Sequence, residues 1–219
     1  MKKLFLLMTA LLAFAPLANA EVFVWKDPSY DIKVTYPDNW MRQAQLDDDM
    51  RLSILAPQGM DHAACRLYVT HDGRFMDAPA YAIQEVSAFV FSPAQIQREM
   101  VMRPDTSNVQ VTGYTNGASL GAGAAVMANV SFTKEWAGAR YPMTALVIAT
   151  QYHGDHILMS CETLSNAWTR WEETMKAIMK SVSWQPAFAT EPNGLYRYFQ
   201  DDGGVHLPLN RRADGITIR

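Results

Sequence analysis

The sequence predicts an α+β fold in which an antiparallel β-sheet is sandwiched by helices, and three observations carry that prediction. Apolar residues alternate with period two in short runs before residue 72 and again from Val109 to Glu162. Two stretches of helical spacing, at 79–101 and 165–182, separate and close those runs. Turn residues, and not crossover helices, join most consecutive strand-like runs, which is the mark of a meander and not of parallel βαβ units.

Before the first strand, Lys2 and Lys3, the apolar run from Leu4 to Leu17 and Ala18-Asn19-Ala20 have the three-part layout of a secretory signal, with maturation at Glu21. The run is shorter than the roughly 20 residues a spanning helix needs, and no later run is longer. Residues 1–20 are therefore read as a signal peptide and the protein as periplasmic or secreted, with no transmembrane segment after cleavage. The net charge of −3 becomes more acidic once the two lysines are removed. That balance argues against nucleic acid or an anionic membrane as a partner.

"EVFVWKDPSY" and "DIKVTYP" form two strands around Asp27-Pro28, the second with Ile32, Val34 and Tyr36 on one face. Pro37 cannot donate to a ladder and Asp38-Asn39 turns the chain, so Trp40 is placed to close one end of the core. "RLSILAP" and "CRLYVTH" follow, separated by Pro57-Gln58-Gly59. Tyr81, Ile83, Val86, Phe89 and Val90 share a helical face, with Asp77 as cap and Pro79 in the first turn. Ser92-Pro93 repeats the signal, which predicts a second short helix through Ile96, Met100 and Val101. "VQVTGYT", "AAVMANVSFT", "MTALVIATQY" and "HILMSCE" return to period two, and His153-Gly154-Asp155 turns the last pair into a hairpin. Ser165 or Asn166 caps a final helix whose Trp168, Trp171, Met175, Ile178, Met179 and Val182 recur as one stripe.

These elements make one α+β domain over 21–184. Beyond it Pro, Gly, Asn and Asp dominate, so 185–219 is an appendage with one hairpin, "LYRYFQ" against "VHLPLN". The appendage concentrates Tyr196, Arg197, Tyr198 and Phe199, residue types enriched at interface anchors, and these are the candidate partner-binding residues. The competing reading folds the hairpin back on the domain as an edge strand or cap.

Cys65 and Cys161 are the only cysteines, and an even count in an exported chain favours a disulfide. Each alternates with apolar neighbours, Leu67 and Val69 for one and Ile157 and Met159 for the other, so both face inward and can meet on neighbouring strands. A bridge closing a loop of about 96 residues stabilises by roughly 4–5 kcal/mol in the chain-entropy picture. There is no C-x-x-C to suggest redox work.

The remaining chemistry is weak. "GASLG" matches G-x-S-x-G, and Ser119 precedes Asp155 and His156 in the order a serine hydrolase requires, but a strand follows where a helix should, and a Gly- and Ala-rich loop is the better account. His153, Asp155 and His156, with His71 and Asp72 from another turn, are weak metal candidates. Asp47-Asp48-Asp49 lacks EF-hand spacing and reads as a solvated loop. Pairing Met50 with Met60, or Met100 with Met102, suggests copper(I), yet most of the thirteen methionines lie in apolar stripes. No catalytic residue, metal site or cofactor is assigned.

"YDIKVTYPDNW", "GARYPMTALVIATQYHGDHILMSCETLSNAW" and "WEETMKAIMKSVSW" together resemble the PsbP-like family, the type of a photosystem II extrinsic subunit, here as an exported bacterial relative. The resemblance spans about residues 22 to 185 and implies an α/β/α sandwich. Members of such a family are commonly assembly factors or binding proteins, while its photosynthetic role has no support in these residues. The expected function is thus an exported, non-catalytic binding or assembly module for another envelope protein. The alternative is a periplasmic carrier of a small ligand or metal in a cleft between sheet and helices; a hydrolase ranks below both.

Overall fold

The computed structural model describes residues 21–44, 47–76, 78–79, 82–152 and 154–184. Residues 1–20, read from the sequence as a signal peptide, residues 185–219, read as an appendage, and the positions of Asp77, Tyr81 and His153 lie outside the described residues.

Strand β1 (Val22–Lys26) pairs with β2 (Lys33–Pro37) as a separate hairpin. Its turn is held by Asp27, whose Oδ1 accepts from the Ser29 and Tyr30 amides, so the buried carboxylate is occupied by backbone. The main sheet contains β3 (Met41–Arg42), β4 (Met50–Leu55), β5 (Ala64–His71), β6 (Thr106–Leu120), β7 (Gly123–Trp136), β8 (Ala139–Tyr152) and β9 (Asp155–Leu164). Their order is β3-β4-β5-β9-β8-β7-β6, antiparallel throughout. The late hairpin β8–β9 therefore inserts beside the early strand β5. One edge is a two-residue strand and the other, β6, carries register shifts against β7, both devices that blunt an open edge.

Helices α1 (Ile83–Val90) and α2 (Pro93–Val101) pack over β6, β7 and β8 on one face. On the other face lie the β1–β2 hairpin and α3 (Trp168–Lys180), and the chain returns after α3 to pair Ser183 with Lys33. Period two sorts the strands between these layers. Val126, Ala128, Val130 and Phe132 of β7 join Phe91, Ile96 and Met100, whereas Leu67, Ile148 and Met159 join Met175, Ile178 and Met179. Trp40 is buried at the sandwich end, edge-on to Trp171 with ring centroids 5.7 Å apart, as the turn after Tyr36 predicts. Cys65 and Cys161 stand directly opposite one another on β5 and β9 and form the disulfide.

Three local expectations are corrected. Phe89 is 76% exposed, because α1 begins only at Ile83 and its buried contacts come from Ile83 and Ser87. Neither Ser165 nor Asn166 caps α3: a 3₁₀ turn, Ser165–Ala167, leads into it, and the Ser165 hydroxyl is engaged by Thr144. The segment 117–121 is not a loop, since β6 continues through Leu120 and the turn is confined to Gly121-Ala122. Gly121 has φ +55°, and a Cβ there would fall inside the Trp184 ring, so the glycine lets Trp184 close over the turn.

Candidate ligand cleft

Because α1 and α2 cover only the β6–β8 half of their face, the β5–β9 half is left open. The side chains that alternate onto that half are Arg66, Tyr68 and Thr70 of β5 and His156, Leu158, Ser160 and Glu162 of β9. The segment after α2, from Met102 to Thr106, forms one wall, and Asp47, Asp49 and Met50 form another, enclosing a cleft of about 760 Å³. A smaller hollow of about 240 Å³ shares Arg66, Asp105, Lys134 and Glu162 with it and extends to an aromatic group. In that group His62 lies 4.6 Å from Trp136 and 5.2 Å from Tyr141, centroid to centroid.

The floor is ionic. Glu162 Oε1 accepts from Arg66 Nη1 at 2.6 Å and from Lys134 Nζ at 3.1 Å, and its Oε2 lies 3.7 Å from Arg103 Nη1. Burial would by itself raise the Glu162 carboxyl, but Arg66, Lys134 and Arg103 outweigh it and hold the group down to about 2. Burial works against the Arg66 charge too, and Glu162 more than offsets it. Arg103 lies over the Tyr68 ring, 5.2 Å from its centroid, and donates to Ser160 Oγ at 3.2 Å. Burial raises the Tyr68 phenol against the pull of Arg103 and Arg66, so Tyr68 is a neutral hydroxyl at neutral pH.

The weak metal candidates are only partly gathered. Strand alternation sends Asp155 and His156 to opposite faces. Asp155 Oδ1 meets His71 Nδ1 at 2.9 Å, while Asp72 is held by Arg74 through paired contacts. His156 Nε2 is 3.1 Å from Asp72 Oδ2 but outside hydrogen-bond geometry, and burial lowers its pKa, so the ring is neutral at pH 7. Among the described residues no group of three or more His, Cys, Asp or Glu is arranged to hold a metal ion; His153 lies outside them. Asp47 Oδ1 accepts from the Asp49 and Met50 amides, which makes it a turn residue. Met50 and Met100 are core, whereas Met60 and Met102 are exposed, so neither methionine pair shares one environment. Ser119 is exposed on edge strand β6, three strands from β9, a lateral separation of about 14 Å at ordinary strand spacing. Tyr196, Arg197, Tyr198 and Phe199 lie outside the described residues.

Arg66, Arg103, Lys134 and Glu162 were not among the residues singled out from the sequence. One signal was present. Each cysteine is followed by a charged residue, Arg66 and Glu162. Pairing Cys65 with Cys161 in an antiparallel ladder makes those opposite charges diagonal neighbours on the other face. Nothing local marks Arg103 or Lys134, which arrive from distant segments.

No family model matches the chain, and no curated protein does. Solved structures share its outline. The PsbP protein (CyanoP) of Synechocystis is 10% identical with a TM-score of 0.48, over 78% of this chain and 96% of that one. LpqN of Mycobacterium tuberculosis, involved in cell envelope biogenesis, is 14% identical with a TM-score of 0.45, over 76% and 91%. The Ran-binding protein Mog1p of Saccharomyces cerevisiae is 8% identical with a TM-score of 0.46, over 75% and 95%. These are likenesses of outline and assign no ligand, partner or compartment.

Proposed function

We propose that this protein is an exported, non-catalytic binding module that engages another protein of the cell envelope through the cleft over β5 and β9. The observation that carries the reading is the cleft itself, a large concavity with buried charged groups converging on its floor. Export is supported by the leader-like residues 1–20 and by the Cys65–Cys161 bridge, which suits an oxidising compartment. Among the described residues no helix is long and apolar enough to cross a membrane. The appendage, with Tyr196, Arg197, Tyr198 and Phe199, is a proposed second contact, and the division into signal, domain 21–184 and appendage remains part of the proposal.

Site-specific photo-crosslinking in cells tests this reading. A crosslinker at Met102, on the cleft rim, is expected to give a discrete adduct; one at Glu173, on the outer face of α3, is not. Adducts of equal yield from both positions, or none from Met102, would overturn the cleft as the interface. The same crosslinker at Tyr198 reports whether the appendage contributes. The volume of the cleft also favours a second reading, a small-ligand carrier, which equilibrium binding separates from the first.

A further inference from the structure

The charges of the cleft floor do not balance. Arg66, Arg103 and Lys134 have side chains only 14%, 18% and 32% exposed, and all three converge on the single carboxylate of Glu162. Among the described residues no other carboxylate lies within 4 Å of any of them. At ion-pair distance three cations therefore meet one carboxylate, and the four other acids of the lining, Asp47, Asp49, Glu99 and Asp105, pair with none of them. Arg103 is the one held least closely to Glu162. Its distance of 3.7 Å from Glu162 is too long for a hydrogen bond, and one N–H on Ser160 leaves the rest of the planar fork for a guest.

A guanidinium fork held over Tyr68 suits a carboxylate or a phosphate. The rim decides between them. Asp47, Asp49, Glu99 and Asp105 line the same cleft without an ion pair to Arg66, Arg103 or Lys134 and would repel a multiply charged anion. They would attract a cationic group on a guest whose single negative charge is buried below. Met50, Phe91 and Leu158 add apolar lining to the cleft.

Resting on the reading of this cleft as the binding site, we propose that its ligand is a short peptide bearing a free C-terminal carboxylate. The carboxylate sits against Arg66, Arg103 and Lys134, and the amino terminus or a basic side chain points to the acidic rim. The volume accommodates a guest of about two to four residues. Where the peptide is the end of a longer protein, the same contacts capture that protein by its C-terminus.

Calorimetric titration of the purified protein with a tripeptide of alanine and leucine, its C-terminal amide and its N-acetylated form tests the assignment. The free peptide is expected to bind, the amide about tenfold more weakly or worse, and the acetylated form by an intermediate amount. Arg103→Gln is expected to remove most of the preference for the free acid, while Arg103→Lys restores part of it. Both variants leave the Arg66–Glu162–Lys134 contacts in place. Equal binding of acid and amide, an Arg103→Gln variant that still discriminates, or inorganic phosphate competing as well as the peptide would each overturn the proposal. Absence of any binding would do the same, and a retained Met102 crosslink would then show that the cleft is an interface for a different chemistry.

Discussion

The two faces of the main sheet are built from the same strands and do opposite things. Under α3 and the β1–β2 hairpin, β5 and β9 contribute Leu67, Val69, Ile157 and Met159 around the Cys65–Cys161 bridge, and the layer is closed. One residue along on the same strands, Arg66, Tyr68, His156 and Glu162 face the other way, into a cleft that α1 and α2 leave open. Alternation permits this division because neighbouring side chains in a strand share a backbone but not an environment. On β5 and β9, therefore, one face is given to packing and the other to the proposed recognition, and five variants sharpen or break the contrast.

The largest effect belongs to the closed face. Replacing Cys65 and Cys161 by alanine should lower unfolding free energy by about 4–5 kcal/mol, the stabilisation expected from closing so long a loop. Denaturant melts of the oxidised and double-mutant proteins check this, and crosslinking at Met102 should persist wherever the variant is folded. A loss below about 1 kcal/mol would mean that packing alone holds β5 to β9.

On the open face, Glu162→Gln removes the one anion from among three cations and should cost about 3 kcal/mol. Acid titration of the wild type probes the same group. A carboxyl held at about 2 against an ordinary 4.5 contributes stability that is intact above pH 4.5 and is lost as pH falls towards 2. The loss is on the order of 3 kcal/mol, and Glu162→Gln should flatten that part of the profile. His156 acts earlier. Its lowered pKa keeps it neutral in the folded state, so stability begins to fall as pH drops through 6.5, and His156→Gln should remove that shoulder.

Gly121→Ala is a smaller disturbance, at the β6–β7 turn beneath Trp184. It combines a positive φ with a methyl group directed into the Trp184 ring, and about 2 kcal/mol of destabilisation is expected. A change in Trp fluorescence should accompany it, since Trp184 must leave its position edge-on to Tyr152. Ser119→Ala should do least, within about 0.5 kcal/mol and without effect on any ester hydrolysis measured, because Ser119 is an exposed strand residue far from Asp155 and His156.

The legible and illegible parts of this protein divide along physical lines. Period two placed β5, β7, β8 and β9 and told which residues of β5, β7 and β9 share an apolar face, because burial acts residue by residue along a strand. Ser92-Pro93 marked the restart of a helix, and the Ser92 hydroxyl does accept from the Gln95 amide. Local signals did less well where tertiary contacts compete with them. Gly117 and Gly121 read as a loop, yet pairing with β7 keeps the chain extended to Leu120. Phe89 fits a helical stripe, yet the short α1 turns Ile83 and Ser87 inward, which leaves that ring in solvent near Phe75.

What the sequence by itself determined is the class of the fold, the inward direction of both cysteines and hence their availability to pair, and the acidic net charge. Only the tertiary structure decided that β9 lies between β5 and β8, and with it the cleft. Arg66, Arg103, Lys134 and Glu162 come from four separate segments, and no local periodicity links them. Their meeting is a consequence of strand order, and strand order is set by non-local pairing that a one-dimensional pattern does not carry.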